Sequence, residues 1–169
     1  MDRGNSRFGG LIVNILNLIG WKSIIRIAVI GLDGSIEVVE IKNKISDVGL
    51  NMFRDALKGV ITDAEIKYLA WGSDNTAVSG DHTTSVAEFD RKQVTLQESG
   101  ATGIIVTTTY IAPYEGNEST IEELGWFAGA DASATPDSGI MVARVLYSRA
   151  KTELESLQVE RTDTLSEVV

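Results

Sequence analysis

The sequence contains no cysteine. That absence excludes disulfides, thiol nucleophiles and thiolate metal sites, and it leaves the redox compartment open. Histidine occurs once, at His82. A metal centre built from several histidines of one chain is therefore excluded, and any nucleophile–histidine couple would have to use that residue. Cations are in the minority. The 15 Lys and Arg against 24 Asp and Glu give a net charge of −9, which argues against a broad nucleic-acid surface, because phosphate binding needs clustered Lys and Arg. There is no Walker loop, dinucleotide-binding glycine fingerprint or nucleophile elbow, and no internal repeat or low-complexity tract. Long apolar runs are missing too. The run from Leu11 to Trp21 falls short of the about 20 residues that a bilayer-spanning helix needs, and extending it takes in Lys22 and Arg26. Arg3 and Arg7 would suit the basic region of a signal peptide, but no small-x-small cleavage site follows cleanly. Neither a span nor a signal is expected.

What is present suits one compact domain with room for a short extra element: 169 residues, 43% hydrophobic and 23% charged. Residues 1–45 read as an apolar arm or helix followed by a β-hairpin, and residues 46–169 as a β-rich module. In the arm, Leu11, Ile12, Ile15, Leu16 and Ile19 form an apolar stripe at helical spacing, with Asn14 and Asn17 on a more polar side, so a helix is expected over 11–21. Asp33-Gly34 between two β-branched runs predicts a hairpin. The stretch "ISDVGLNMFRDALKGV" predicts a short helix capped by Ser46 or Asp47. Its expected inner face is Leu50, Phe53 and Leu57, and Gly59 suits the left-handed position after its end. The runs "EIKYLAWGS", "AEFDRKQVTLQE", "IIVTTTYIAP", "TIEELGWFAG" and "GIMVARVLYS" carry the composition and alternation of strands. The tail "ESLQVERTDTLSEVV" alternates as a last strand, while "RAKTELESL" would also suit a helical turn. The sum is a mainly β chain: an antiparallel β-sandwich or open barrel with one or two short N-terminal helices.

Two places invite a chemical reading. The stretch "GSDNTAVSGDHTT" gathers Asp74, Asn75, Asp81 and His82. Calcium needs six or more oxygens in a set arrangement and the EF-hand spacing is absent, so Asp and Asn are expected to make turns in a solvated loop there. The run "STIEELGWFAGADAS" sets Glu122 and Glu123 beside Trp126 and Phe127. In a strand, successive side chains point to opposite faces, so the two carboxylates diverge. They do not form the facing pair of a glycosidase. Arg144 in "MVARV" falls opposite or diagonal to Glu123, and a cross-strand ion pair is the simpler reading. Glu88 and Arg91 in "AEFDRK" would supply a second pair. No catalytic, metal or cofactor residues are assigned.

The segments "IKYLAWGSDNT", "AEFDRKQVT", "TIEELGWFAG" and "GIMVARVLYSRAKTELESLQVERTDTL" follow one another in an order that resembles tail-fibre and other tail-associated structural proteins of tailed bacteriophages. The likeness lies in an I-x-Y-x-A-x-G-[ST] strand, an E-x-x-R-K segment, an I-x-E-x-G-x-F strand and an A-R strand, and it covers residues 46–165. The resemblance implies a β-rich assembly module of the virion, assembled in the host cytoplasm, with no activity and no catalytic residues. Its expected partners are other copies of itself and neighbouring virion proteins. Tail, baseplate, neck and capsid surface all stay open as locations, so capsid decoration and head–tail connection are alternatives. A further alternative is a carbohydrate-binding attachment module that uses Trp71, Tyr114 and Trp126 as a platform for host-surface glycans. The apolar arm must pack somewhere, because exposing its side chains forgoes burial, and an intersubunit contact is expected.

Overall fold

The computed structural model describes residues 18–168. Ten strands and one helix follow in order: β1 (Leu18–Gly31), β2 (Ile36–Lys42), β3 (Lys44–Ile45), α1 (Asp47–Leu57), β4 (Ile66–Gly72), β5 (Glu88–Gln93), β6 (Leu96–Ser99), β7 (Ile104–Ile111), β8 (Ile121–Ala128), β9 (Ile140–Arg149) and β10 (Glu155–Val168). They build two five-stranded antiparallel sheets, β2-β1-β10-β7-β6 and β3-β9-β8-β4-β5. The result is a sandwich rather than a closed barrel. The first and last strands, each of 14 residues, pair along their whole length from Leu18↔Val168 to Gly31↔Glu155. Residues 18–42, expected as the end of an arm and a hairpin, are thus two strands of the first sheet.

The helix expected over 11–21 is not formed at its C-terminal end. Leu18 to Trp21 are strand, paired with β10. Ile19 lies in β1, and Leu11, Ile12, Ile15 and Leu16 lie outside the described residues. Branched apolar residues satisfy helix and buried-strand patterns alike over so short a run, and it is the partner strand β10 that decides. The Asp33-Gly34 hairpin forms, with Gly34 at φ 87°. The tail is strand from Glu155 to Val168, and a turn at Thr152–Glu155 stands where a helical turn was the alternative.

The helix α1 starts where Ser46 predicts: the Ser46 hydroxyl accepts from the Gly49 N–H at 3.0 Å, satisfying one of the free N–H groups of the first turn. Gly59 takes the left-handed conformation after its end. The buried face differs from expectation. Leu50 and Leu57 are exposed, and Gly49 and Met52 are buried. Gly49 explains the rotation. A Cβ there would lie 2.8 Å from the Val142 carbonyl oxygen, so the helix is pressed against β9 on its glycine side. Met52 enters the core, and Phe53 meets Trp21 with ring centroids 5.7 Å apart. The core between the sheets contains Ile25, Ile27, Leu69, Trp71, Leu124, Trp126, Val145, Leu157 and Val159.

Candidate functional site: buried ion pairs and an end groove

The strands β9, β8, β4 and β5 lie side by side, and their outer face is covered by the segments 73–87 and 129–139. Glu123 stands on that face. Its side chain is 0% exposed and that of Arg144 1%. The two meet diagonally, since Glu123 lies across from Leu146 and Arg144 across from Gly125. Arg144 Nε donates to Glu123 Oε2. The remaining carboxylate capacity is taken by backbone: Ala87 N–H donates to Oε1 at 2.9 Å and Val86 N–H to Oε2 at 3.3 Å. Arg144 reaches the other side of the same loop, donating to the Thr76 carbonyl at 2.8 Å and the Asp74 carbonyl at 3.4 Å. The Asp74 carboxylate lies 3.7 Å from Nη2. The pair is a clamp that ties both ends of the loop 73–87 to the sheet. Gly72 makes room for it: a Cβ at Gly72 would strike the Glu123 side chain and come within 2.6 Å of the Ala87 carbonyl oxygen.

A β-bulge builds the second clamp. Residues three apart on a regular strand face opposite ways. Here Trp71 pairs with Asp90 and Gly72 with Glu88, skipping Phe89, so Glu88 and Arg91 come to one face. Arg91 Nε donates to Glu88 Oε1 at 2.5 Å and Nη2 to Oε2 at 2.7 Å, with both side chains buried. Arg91 Nη1 donates to the Ser133 and Ser138 carbonyls at 3.1 Å each, holding the second covering loop, and the guanidinium carbon lies 4.2 Å from the Phe127 ring centroid. Neither clamp leaves a carboxylate facing open space. The sequence places Ile121 and Glu123 on one face, but Ile121 joins the interior with Leu124 and Trp126, because the β8–β9 register shifts between Ile121 and Glu123.

The loop 73–87 is built from turns, as its Asp and Asn content suggests. Asp74 accepts from the Thr76 N–H at 2.6 Å, and the Thr76 side chain together with this N–H holds its carboxyl below the ordinary range. His82 is half-buried, its Nδ1 3.4 Å from both the Ser79 N–H donor and Arg144 Nη1. Among the described residues, no group of three or more His, Asp or Glu is arranged to hold a metal ion. The proposed aromatic platform is corrected: Trp71 and Trp126 are each 1% exposed and belong to the core, whereas Tyr114 is 76% exposed.

A third ion pair escapes the sequence reading. Arg161 and Asp163 are buried, 0% and 2% exposed. Arg161 donates to both Asp163 oxygens at 2.8 Å, and Trp21 Nε1 donates to Asp163 Oδ1 at 2.7 Å. The Arg161 guanidinium lies 5.5 Å from the Trp126 ring and 5.8 Å from the Trp21 ring. The available signal was the i, i+2 continuation of Leu157 and Val159 on the inward face. Beside this pair, at the end of the sandwich closed by α1, a groove of about 320 Å³ opens, walled by Trp21, Phe53, Ala56, Ile66, Ile105 and Leu165. At the opposite end a larger, shallower hollow of about 680 Å³ is bordered by Leu32, Ile36 and Leu154, and there Arg149 bridges Glu37 and Glu155.

Comparison of the chain with protein-family models, with curated proteins and with solved structures finds no match. Among the described residues, no helix is long and apolar enough to cross a membrane.

Proposed function

We propose that the chain is a non-enzymatic structural subunit of a tailed-phage virion, carried in the tail as a fibre, baseplate or tail-tip module and assembled in the host cytoplasm with other copies of itself. One observation carries the reading. The strands that carry the four motifs of that resemblance lie side by side as β9-β8-β4-β5, and the charged residues of those motifs are the clamps. Glu123 comes from the I-x-E-x-G-x-F strand, Arg144 from the A-R strand, and Glu88 with Arg91 from the E-x-x-R-K segment. Gly72 of the A-x-G-[ST] strand leaves space for Glu123. A physical reason for the spacing of these motifs is thus loop fixation, which suits a rigid assembly module. The Glu88 and Glu123 carboxylates are taken up by guanidinium and backbone N–H groups, which supports a structural rather than a catalytic reading of these two residues.

A capsid decoration or head–tail connector protein would use the same module, and particle imaging separates these from the tail. The carbohydrate-binding reading loses two of its three aromatics to the core. Mass spectrometry of purified particles tests the proposal. The chain is expected at several copies per particle. Its absence from purified particles, with abundance in the infected-cell lysate, would overturn the assignment. Turnover of a polysaccharide or peptide that disappears in Glu122→Gln or Glu123→Gln would overturn the non-enzymatic reading.

A further inference from the structure

The end groove and the apolar segment ahead of β1 need one another, and we infer that residues 11–16 of a neighbouring copy of this chain fill the groove. The inference rests on the assembly reading and names the surface through which copies would join. Three observations carry it.

The first is the chemistry of the groove. Its walls are Trp21, Phe53, Ala56, Ile66, Ile105 and Leu165. The Asp163 carboxylate beside them is already saturated by Trp21 Nε1 and Arg161, so it asks for no charged ligand. The mostly apolar walls suit an apolar occupant, and the sequence supplies one in Leu11, Ile12, Val13, Ile15 and Leu16. Glu65 also borders the groove, and the segment is preceded by Arg3 and Arg7, so the charges flanking the two surfaces are complementary.

The second is position. β1 and β10 stay paired out to Leu18↔Val168. Three residues of strand, at about 3.3 Å each, carry Leu18 roughly 10 Å beyond Trp21. The first described residue, to which the segment is joined, therefore lies at the groove's own end of the sandwich.

The third is direction. A chain reversal takes four residues, and Leu18 is already held in strand pairing. A return to the chain's own groove would place Ile15 and Leu16 in the turn and withdraw them from the groove. A neighbour's segment meets no such restriction. Exchange of an apolar arm between identical subunits also closes readily into a ring or trimer.

Sedimentation of four proteins tests the inference: the full chain, a chain lacking residues 1–17, Ala56→Trp, which narrows the groove from α1, and Leu16→Asp, a change within the proposed occupant. The full chain is expected to sediment as an oligomer. The truncated chain and both variants are expected to fall to the monomer mass, 18.2 kDa for the full-length variants, with unchanged circular dichroism. A synthetic peptide of residues 7–17 added to the truncated chain should shift the Trp21 emission, and the shift should vanish in Trp21→Phe. If Ala56→Trp stays oligomeric while the truncated chain is monomeric, the segment binds elsewhere: the groove inference fails and arm-mediated assembly stands. If Ala56→Trp fails to fold, an oligomeric Leu16→Asp overturns the inference and a monomeric one with an intact peptide response supports it. A monomeric full chain whose deletion alters Trp21 emission would mean that the segment packs on its own chain, which overturns the inference and leaves the particle assignment to mass spectrometry.

Discussion

Replacing Arg144 by Met removes a guanidinium that Glu123 and the 73–87 loop share. The carboxylate would stay buried beside two backbone N–H donors, and the Thr76 and Asp74 carbonyls would lose their donor. Breaking one side of a buried pair costs about 3–5 kcal/mol. Both partners are buried here, so the upper part of that range applies rather than the ~0–1 kcal/mol of a surface pair. For a chain of this length about 1 kcal/mol moves the melting temperature by roughly 2–4 °C, so Arg144→Met is expected to melt roughly 8–20 °C lower. Glu123→Leu alone should cost a similar amount. Joined in one chain, the two changes put an apolar pair in place of an ion pair, which by itself is close to neutral. The Ala87 and Val86 N–H groups and the Thr76 carbonyl are still left to water, so about 1–3 kcal/mol of the loss should remain. Urea denaturation of the four proteins gives the coupling, which these terms put at several kcal/mol, roughly 5–9. Additive losses would refute the clamp. A double variant as unstable as the sum of its parents would mean that each side chain acts through packing alone.

Gly72→Ala should destabilise by about 1–3 kcal/mol through overpacking against Glu123 and the Ala87 carbonyl, and Glu123→Ala should relieve part of that loss; thermal melts of the single and double variants read both. Ser46→Ala removes the cap of α1 and a 2.5 Å hydrogen bond to the Met141 carbonyl, so a loss of about 1–2 kcal/mol is expected in urea. Acid should unfold the protein in a defined window. Hydrogen bonds from Arg149 hold Glu155 below its ordinary value of 4.5; burial pushes Glu115 up, but Lys92 and the Ala112 N–H outweigh it and leave Glu115 also below 4.5. A depressed carboxylate stabilises the fold above its unfolded value and loses that contribution as pH falls through its folded value, so the urea midpoint should hold from neutrality to about pH 5 and fall below about pH 4.5. Burial raises Asp90 and Asp137 above 3.8, which softens the fall, and Arg149→Met should flatten it.

Much of the sandwich was legible because strands report themselves locally. Alternation, β-branched residues and the Asp33-Gly34 turn are all short-range signals, and Ser46 and Gly59 bracket the helix by the demands of its two ends. Features that depend on distant partners were not legible. The pairing of β1 with β10 joins residues up to 150 positions apart in sequence (Leu18 with Val168), and nothing near Leu18 distinguishes strand from helix. The bulge at Phe89 is invisible in composition, yet it turns Glu88 and Arg91 to one face. The Glu123–Arg144 relation was readable from register alone, whereas its complete burial comes from a loop whose polar sequence suggests solvent. Arg161 and Asp163 were missed for a similar reason: charge in an alternating strand reads as outward-facing until Trp21 and Trp126 are seen on either side.

Gold labelling of this chain on intact particles, viewed by electron microscopy, tests the virion assignment most directly. The account predicts label at the tail, in several copies per particle and in a pattern set by rotational symmetry. Label confined to the head surface would move the module to capsid decoration, and particles without label would contradict the structural role itself.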